Sequence, residues 1–110
     1  MGMKPFYYHA GDDFVAFATE PVALLDLPGV PWGLDEVVVA DRLVGNVGAG
    51  PEATFFSDVR RLLPAHCLTA TSDGVQVRRY WAPDLSQEIC FAHDDDYVEA
   101  YRAHLQRAVD

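Results

Sequence analysis

Gly2-Met3-Lys4-Pro5-Phe6-Tyr7-Tyr8 and Phe14-Val15-Ala16-Phe17-Ala18-Thr19-Glu20-Pro21-Val22-Ala23-Leu24-Leu25 flank the polar break Ala10-Gly11-Asp12-Asp13. Two apolar, aromatic-rich runs around a short polar turn predict a β-hairpin, and proline just inside Glu20 predicts that the second run feeds directly into a helix. The runs alternate poorly and are mostly apolar, as strands covered on both faces are. Phe6, Tyr7, Tyr8, Phe14 and Phe17 are accordingly expected in the core.

Working outward, Val22, Leu24, Leu25 and Leu27 suit a short helix that Pro28-Gly29-Val30-Pro31 ends. A second helix is expected from Asp35 to Val44, with the Asp35 carboxylate as N-cap and Val38 at the third helical position. The β-branched triplet Val37-Val38-Val39 weakens its intrinsic propensity. Gly45-Asn46-Val47-Gly48-Ala49-Gly50-Pro51 is too rich in glycine for a regular element and is read as a loop. Ala53–Phe56 and Val59–Leu63 lead to Pro64. Cys67–Thr71 is expected to pair with Val75–Tyr80 across Ser72-Asp73-Gly74. Residues 82–93 read as a linker, and Asp94-Asp95-Asp96 as the cap of a last helix whose Tyr97, Val98, Tyr101, Leu105, Ala108 and Val109 share one face.

Half of the 110 residues are hydrophobic and the formal net charge is −9. That balance suits a packed core and excludes a basic surface for nucleic acid or anionic lipid. Arg60-Arg61 and Arg78-Arg79 are isolated pairs that suit solvated faces. No apolar run reaches the roughly eighteen residues of a membrane helix, and no signal-peptide pattern opens the chain, so a cytoplasmic protein is expected. Cys67 and Cys90 lack metal-ligand spacing and are expected to be reduced, buried thiols. The abrupt opening, and a last helix without a C-cap glycine, suggest a piece of a longer protein.

Each candidate for chemistry has a stronger structural reading. His66 and Cys67 are neighbours on an expected strand, so they point to opposite faces and cannot share a proton. His9 and His104 have no partner at ligand spacing, and His93 with the three aspartates lacks the pattern of a calcium loop. The glycine cluster has no Lys-Ser/Thr after it. Glu20 reads as a buried or capping anion, and Lys4 as half of an ion pair.

The wording of the chain nevertheless resembles the glutaminase domain of asparagine synthetase-like enzymes, which carry Gly-x-Lys/Arg-Pro-Leu-Tyr-Tyr followed by Phe-Ala-Ser-Glu-x-Lys-Ala-Leu. Leu27-Pro28-Gly29-Val30, Leu34-Asp35-Glu36 and Ala40-Asp41 are similar to later motifs of that family. So are the run from Gly50-Pro51 through Thr54, Phe56 and Val59 to Leu63-Pro64-Ala65-His66, and Arg79-Tyr80-Trp81. Thr19 stands for the usual serine, Ala65 for the glycine before His66, and Cys67 for a common tyrosine. These departures fit a divergent branch, such as the enzymes that close peptide macrocycles or β-lactam rings.

The resemblance implies an α+β fold: the back part of the αββα sandwich of N-terminal-nucleophile hydrolases, over residues 1–81. A linker (82–93) and the first helix of an ATP-pyrophosphatase domain (94–110) would follow. It implies an ATP-dependent, magnesium-requiring amidotransferase that passes ammonia from glutamine to an adenylated carboxylate. The family's nucleophilic cysteine and glutamine-binding elements would lie upstream of Gly2, and its Ser-Gly-Gly-x-Asp-Ser pyrophosphate loop downstream of Asp110. No catalytic, cofactor-binding or metal-binding residue is therefore carried over, and the chain alone is expected to be inactive. Its expected partners are the remainder of a synthetase or further copies meeting through uncovered strands. The rival expectation is a non-catalytic interaction module. An independent hydrolase built on His66 or Cys67 is the weakest reading.

Overall fold

The computed structural model describes residues 4–46 and 48–110. The opening hairpin forms as expected from β1 (Tyr7–Ala10) and β2 (Val15–Ala18), antiparallel with Tyr8 opposite Phe17 and Ala10 opposite Val15. The Gly11 amide closes the turn on the Phe14 carbonyl at 3.1 Å. The other edge of β1 is taken by a short strand, β3 (Arg60–Arg61), with Tyr7 opposite Arg61 and Tyr8 opposite Arg60. The sheet order is thus β2-β1-β3, and the first strand lies at its centre.

Side chains alternate across a strand, so Tyr7, His9, Ala16 and Ala18 share one face. The short helix α1 (Val22–Leu25) covers that face. Leu24, Leu25, Val30 and Val59 form the buried cluster, with Tyr7, Phe14, Ala16, Ala18 and Phe56 packed on it. The opposite face departs from expectation. Phe17 is 70% exposed and stacks flat on Phe6 with ring centroids 5.3 Å apart, while Tyr8 and Val15 on the same face are half-buried, so this side is only partly covered. Of the five aromatic residues expected in the core, Tyr7 and Phe14 pack there and Phe17 does not.

The second helix, α2, runs from Glu36 to Leu43. Asp35 is its N-cap, with the carboxylate accepting from the amides of Val37 at 3.0 Å and Val38 at 3.1 Å. Glu36 in the first turn and Arg42 in the last complement the helix dipole. The helix stops one residue short of the expected Val44, because Gly45 follows at φ 72° in the left-handed region. The Asn46 amide then bonds the Asp41 carbonyl at 2.8 Å and the Gly45 amide that of Arg42 at 3.4 Å, the two bonds of a Schellman ending.

Beyond the glycine loop, residues 53–57 lie against the entry to α2. Leu34 bridges to Phe56, the Asp35 amide donates to the Phe55 carbonyl at 2.9 Å, and the Ser57 amide to that of Gly33 at 3.1 Å. A second hairpin follows from β4 (His66–Thr71) and β5 (Gly74–Arg79). Its loop is tighter than expected: Thr71 pairs with Gly74, leaving Ser72 and Asp73 as the only loop residues. The chain has no helix or strand from Tyr80 to His93, and ends in α3 (Asp94–Val109). His93, not an aspartate, occupies the N-cap; the three aspartates fill the first turn, and the Asp96 carboxylate reaches back to the His93 amide at 3.3 Å. None of the residues of α3 is buried. The fold is α+β with antiparallel sheets. Among the described residues no helix is long and apolar enough to cross a membrane.

Candidate functional site

The structure separates the residues that sequence reasoning weighed for chemistry. His66 and Cys67 lie side by side on β4, opposite Arg79 and Arg78. The His66 ring nitrogen Nδ1 lies 2.9 Å from the Pro64 carbonyl, which can only accept, so that nitrogen is the donor and the ring is tied to its own chain. Cys67 is half-buried, but Cys90 is exposed, against the expectation that both thiols are buried. Glu20 is exposed as well, and α1 has no side-chain cap, so Glu20 is neither a buried nor a capping anion. Lys4 lies on the surface.

The glycine loop follows the C-terminus of α2. Helix carbonyls, not amides, face outward there, and the dipole field is of the wrong sign for phosphate. Val47 of that loop lies outside the described residues. Among the described residues no three His, Cys, Asp or Glu side chains gather as a metal set.

What the structure does assemble is a set of polar ties, one fastening residues 54–61 to β1 and the others folding that segment on itself. His9, on the covered face of the hairpin, is only 4% exposed. Its Nδ1 donates to the Asp58 carbonyl at 2.8 Å, and its ring leans on Phe14 with centroids 5.5 Å apart. Nearby, the Thr54 hydroxyl lies 2.6 Å from the Val59 carbonyl and 3.0 Å from that of Phe56, and accepts from the Phe56 amide at 3.1 Å. Sequence reasoning weighed His9 only as a possible ligand and gave Thr54 no role. A lone histidine in a strand and a threonine in a loop give no signal of partners that depend on tertiary contact.

Two features lie on or beside α2. Trp32, Leu34, Val39, Ala40 and Leu43 line an open groove of about 470 Å³, with Trp32 edge-on to Phe56 at 5.8 Å. On another side, Asp41, Arg42, Asn46 and Arg61 border a cavity of about 300 Å³. The Asp41 Oδ2 atom there is buried without a hydrogen-bond partner, while Oδ1 accepts from Asn46 at 3.5 Å. A third space, of about 690 Å³, lies where the two hairpin tips meet, between Asp12 and Asp13 on one side and Thr71 and Ser72 on the other. None of these places a nucleophile beside a base among the described residues. The exposed linker carboxylate of Asp84 has a pKa lowered from its ordinary value. The Ser86 hydroxyl donates to it at 2.6 Å, with the Ser86 amide at 3.0 Å and the Gln87 side chain at 3.1 Å.

Comparison with known proteins agrees with the resemblance carried by the opening hairpin. Residues 1–81 match the family model of the glutamine amidotransferase domain. The chain is also 30% identical over 113 residues to asparagine synthetase [glutamine-hydrolyzing] 3 of Bacillus subtilis (strain 168). That alignment takes in 99% of this chain and 17% of the relative, so the chain spans about a sixth of the protein it matches. No solved structure matches it. With residues 1–81, well over half of the chain, matched by that model, the chain belongs to the glutamine amidotransferase domain family.

Proposed function

We propose that this chain is a fragment of an asparagine synthase-like, ATP-dependent amidotransferase, and that it is inactive alone. In the complete enzyme, ammonia released from glutamine would attack a carboxylate activated as its adenylate. The observation that carries this reading is the alignment along nearly the whole chain to a glutamine-hydrolyzing asparagine synthetase, of which it covers only 17%. In the reading, residues 1–81 form the back of an αββα sandwich of the N-terminal-nucleophile hydrolase type, 82–93 a linker, and 94–110 the first helix of a synthetase domain. The exposed Phe17 face and the unburied α3 support it, because both are surfaces that a complete enzyme would cover.

The donor set on this chain does not fit ATP or magnesium. The glycine loop sits at a helix C-terminus, and no three acidic, histidine or cysteine side chains converge among the described residues. In this reading the chain's own residues take no catalytic step. Its part in the proposed enzyme is architectural: β1 to β3, fastened by His9, present one finished and one unfinished sheet face to the rest of a cytoplasmic synthetase, or to further copies.

A second reading is a non-catalytic interaction module, favoured by the apolar groove at Trp32, Leu34 and Leu43. Two measurements decide. The purified chain incubated with glutamine is expected to release no ammonia, and release above the buffer blank would overturn its inactivity. Sequencing the source DNA on both sides is expected to show a continuous frame encoding Met-Cys upstream and Ser-Gly-Gly-x-Asp-Ser downstream. Stop codons at both ends would overturn the amidotransferase reading in favour of the module.

A further inference from the structure

No further inference is drawn: the strongest candidate, the exposed apolar groove that Trp32, Leu34 and Leu43 form along α2, carries nothing because nothing in the structure shows what covers it.

Discussion

The ring nitrogen Nδ1 of His9 lies 2.8 Å from the main-chain carbonyl of Asp58, a residue 49 positions away, and this bond fastens the 57–59 segment to the central strand. Gly11 makes it possible. A Cβ at that position would come within 2.8 Å of His9 Nε2, so the turn must stay bare for the ring to lie where it does. His9→Ala leaves the Asp58 carbonyl without its partner, which costs roughly 1–3 kcal/mol, and adds a cavity term. Gly11→Ala forces the ring to shift, at about 1–3 kcal/mol. The two losses should not add, because removing the ring removes the clash. Urea unfolding midpoints of both variants and the double variant test this coupling, and strict additivity would refute it.

Thr54 serves two backbone carbonyls and one amide, and its single hydroxyl proton goes to the Val59 carbonyl, the nearer acceptor at 2.6 Å. Thr54→Val keeps the shape and removes every one of these bonds, for a loss of roughly 1–3 kcal/mol. Thr54→Ser keeps the hydroxyl and should lose less than half as much. Chemical denaturation of the pair checks the order, and equal losses would show that the methyl group matters as much as the hydroxyl.

Ala65 holds φ 61°, the only non-glycine residue with positive φ among those described, and its carbonyl accepts from the Tyr80 amide at 2.8 Å. A side chain in this region costs roughly 1–2 kcal/mol, partly offset by the lower entropy of the unfolded chain. Ala65→Gly is therefore expected to stabilise the fold by about 1 kcal/mol, read as a rise of several degrees in a thermal melt followed by circular dichroism. No rise would mean that neighbouring packing already compensates the strain.

Asp84 gives a prediction for pH. Its carboxyl pKa lies below the ordinary 3.8, because the Ser86 hydroxyl and amide and the Gln87 side chain donate to the charged form. The folded value is depressed, so the linker turn is favoured above the ordinary carboxyl range and is lost as pH falls through the lowered value. A carboxyl-carbon NMR titration should place the Asp84 midpoint below that of an unstructured aspartate, and Ser86→Ala should move it upward. Global unfolding is expected to stay unchanged, since the group is exposed and screened.

How far the fold was legible follows from the range of each interaction. The β1–β2 and β4–β5 hairpins, the Asp35 cap and the apolar stripe of α3 are written within a few residues each, and periodicity and turn chemistry reveal them. Strand β3 is two arginines whose partners are Tyr7 and Tyr8, and charged residues on an edge strand carry no strand pattern. His9 failed for the same reason, since its burial depends on a segment 49 residues away. Phe17 and Cys90 erred in the other direction: hydrophobicity says that a side chain should be covered, and not whether the covering surface is present in this chain.

Placing β1 in the middle of its sheet has a kinetic consequence. Pairing with β2 needs only a short turn and can form in microseconds, whereas pairing with β3 must wait until Arg60 is brought back to Tyr8. Closing a flexible loop of that length costs about 3.5 kcal/mol in chain entropy beyond a constant term, and β3 returns few ladder bonds of its own. A hairpin-first order of assembly is the expected result. The hairpin comes first, α1 shields one side of it, and the third strand is recruited last, when Val59 enters the cluster and His9 finds its carbonyl.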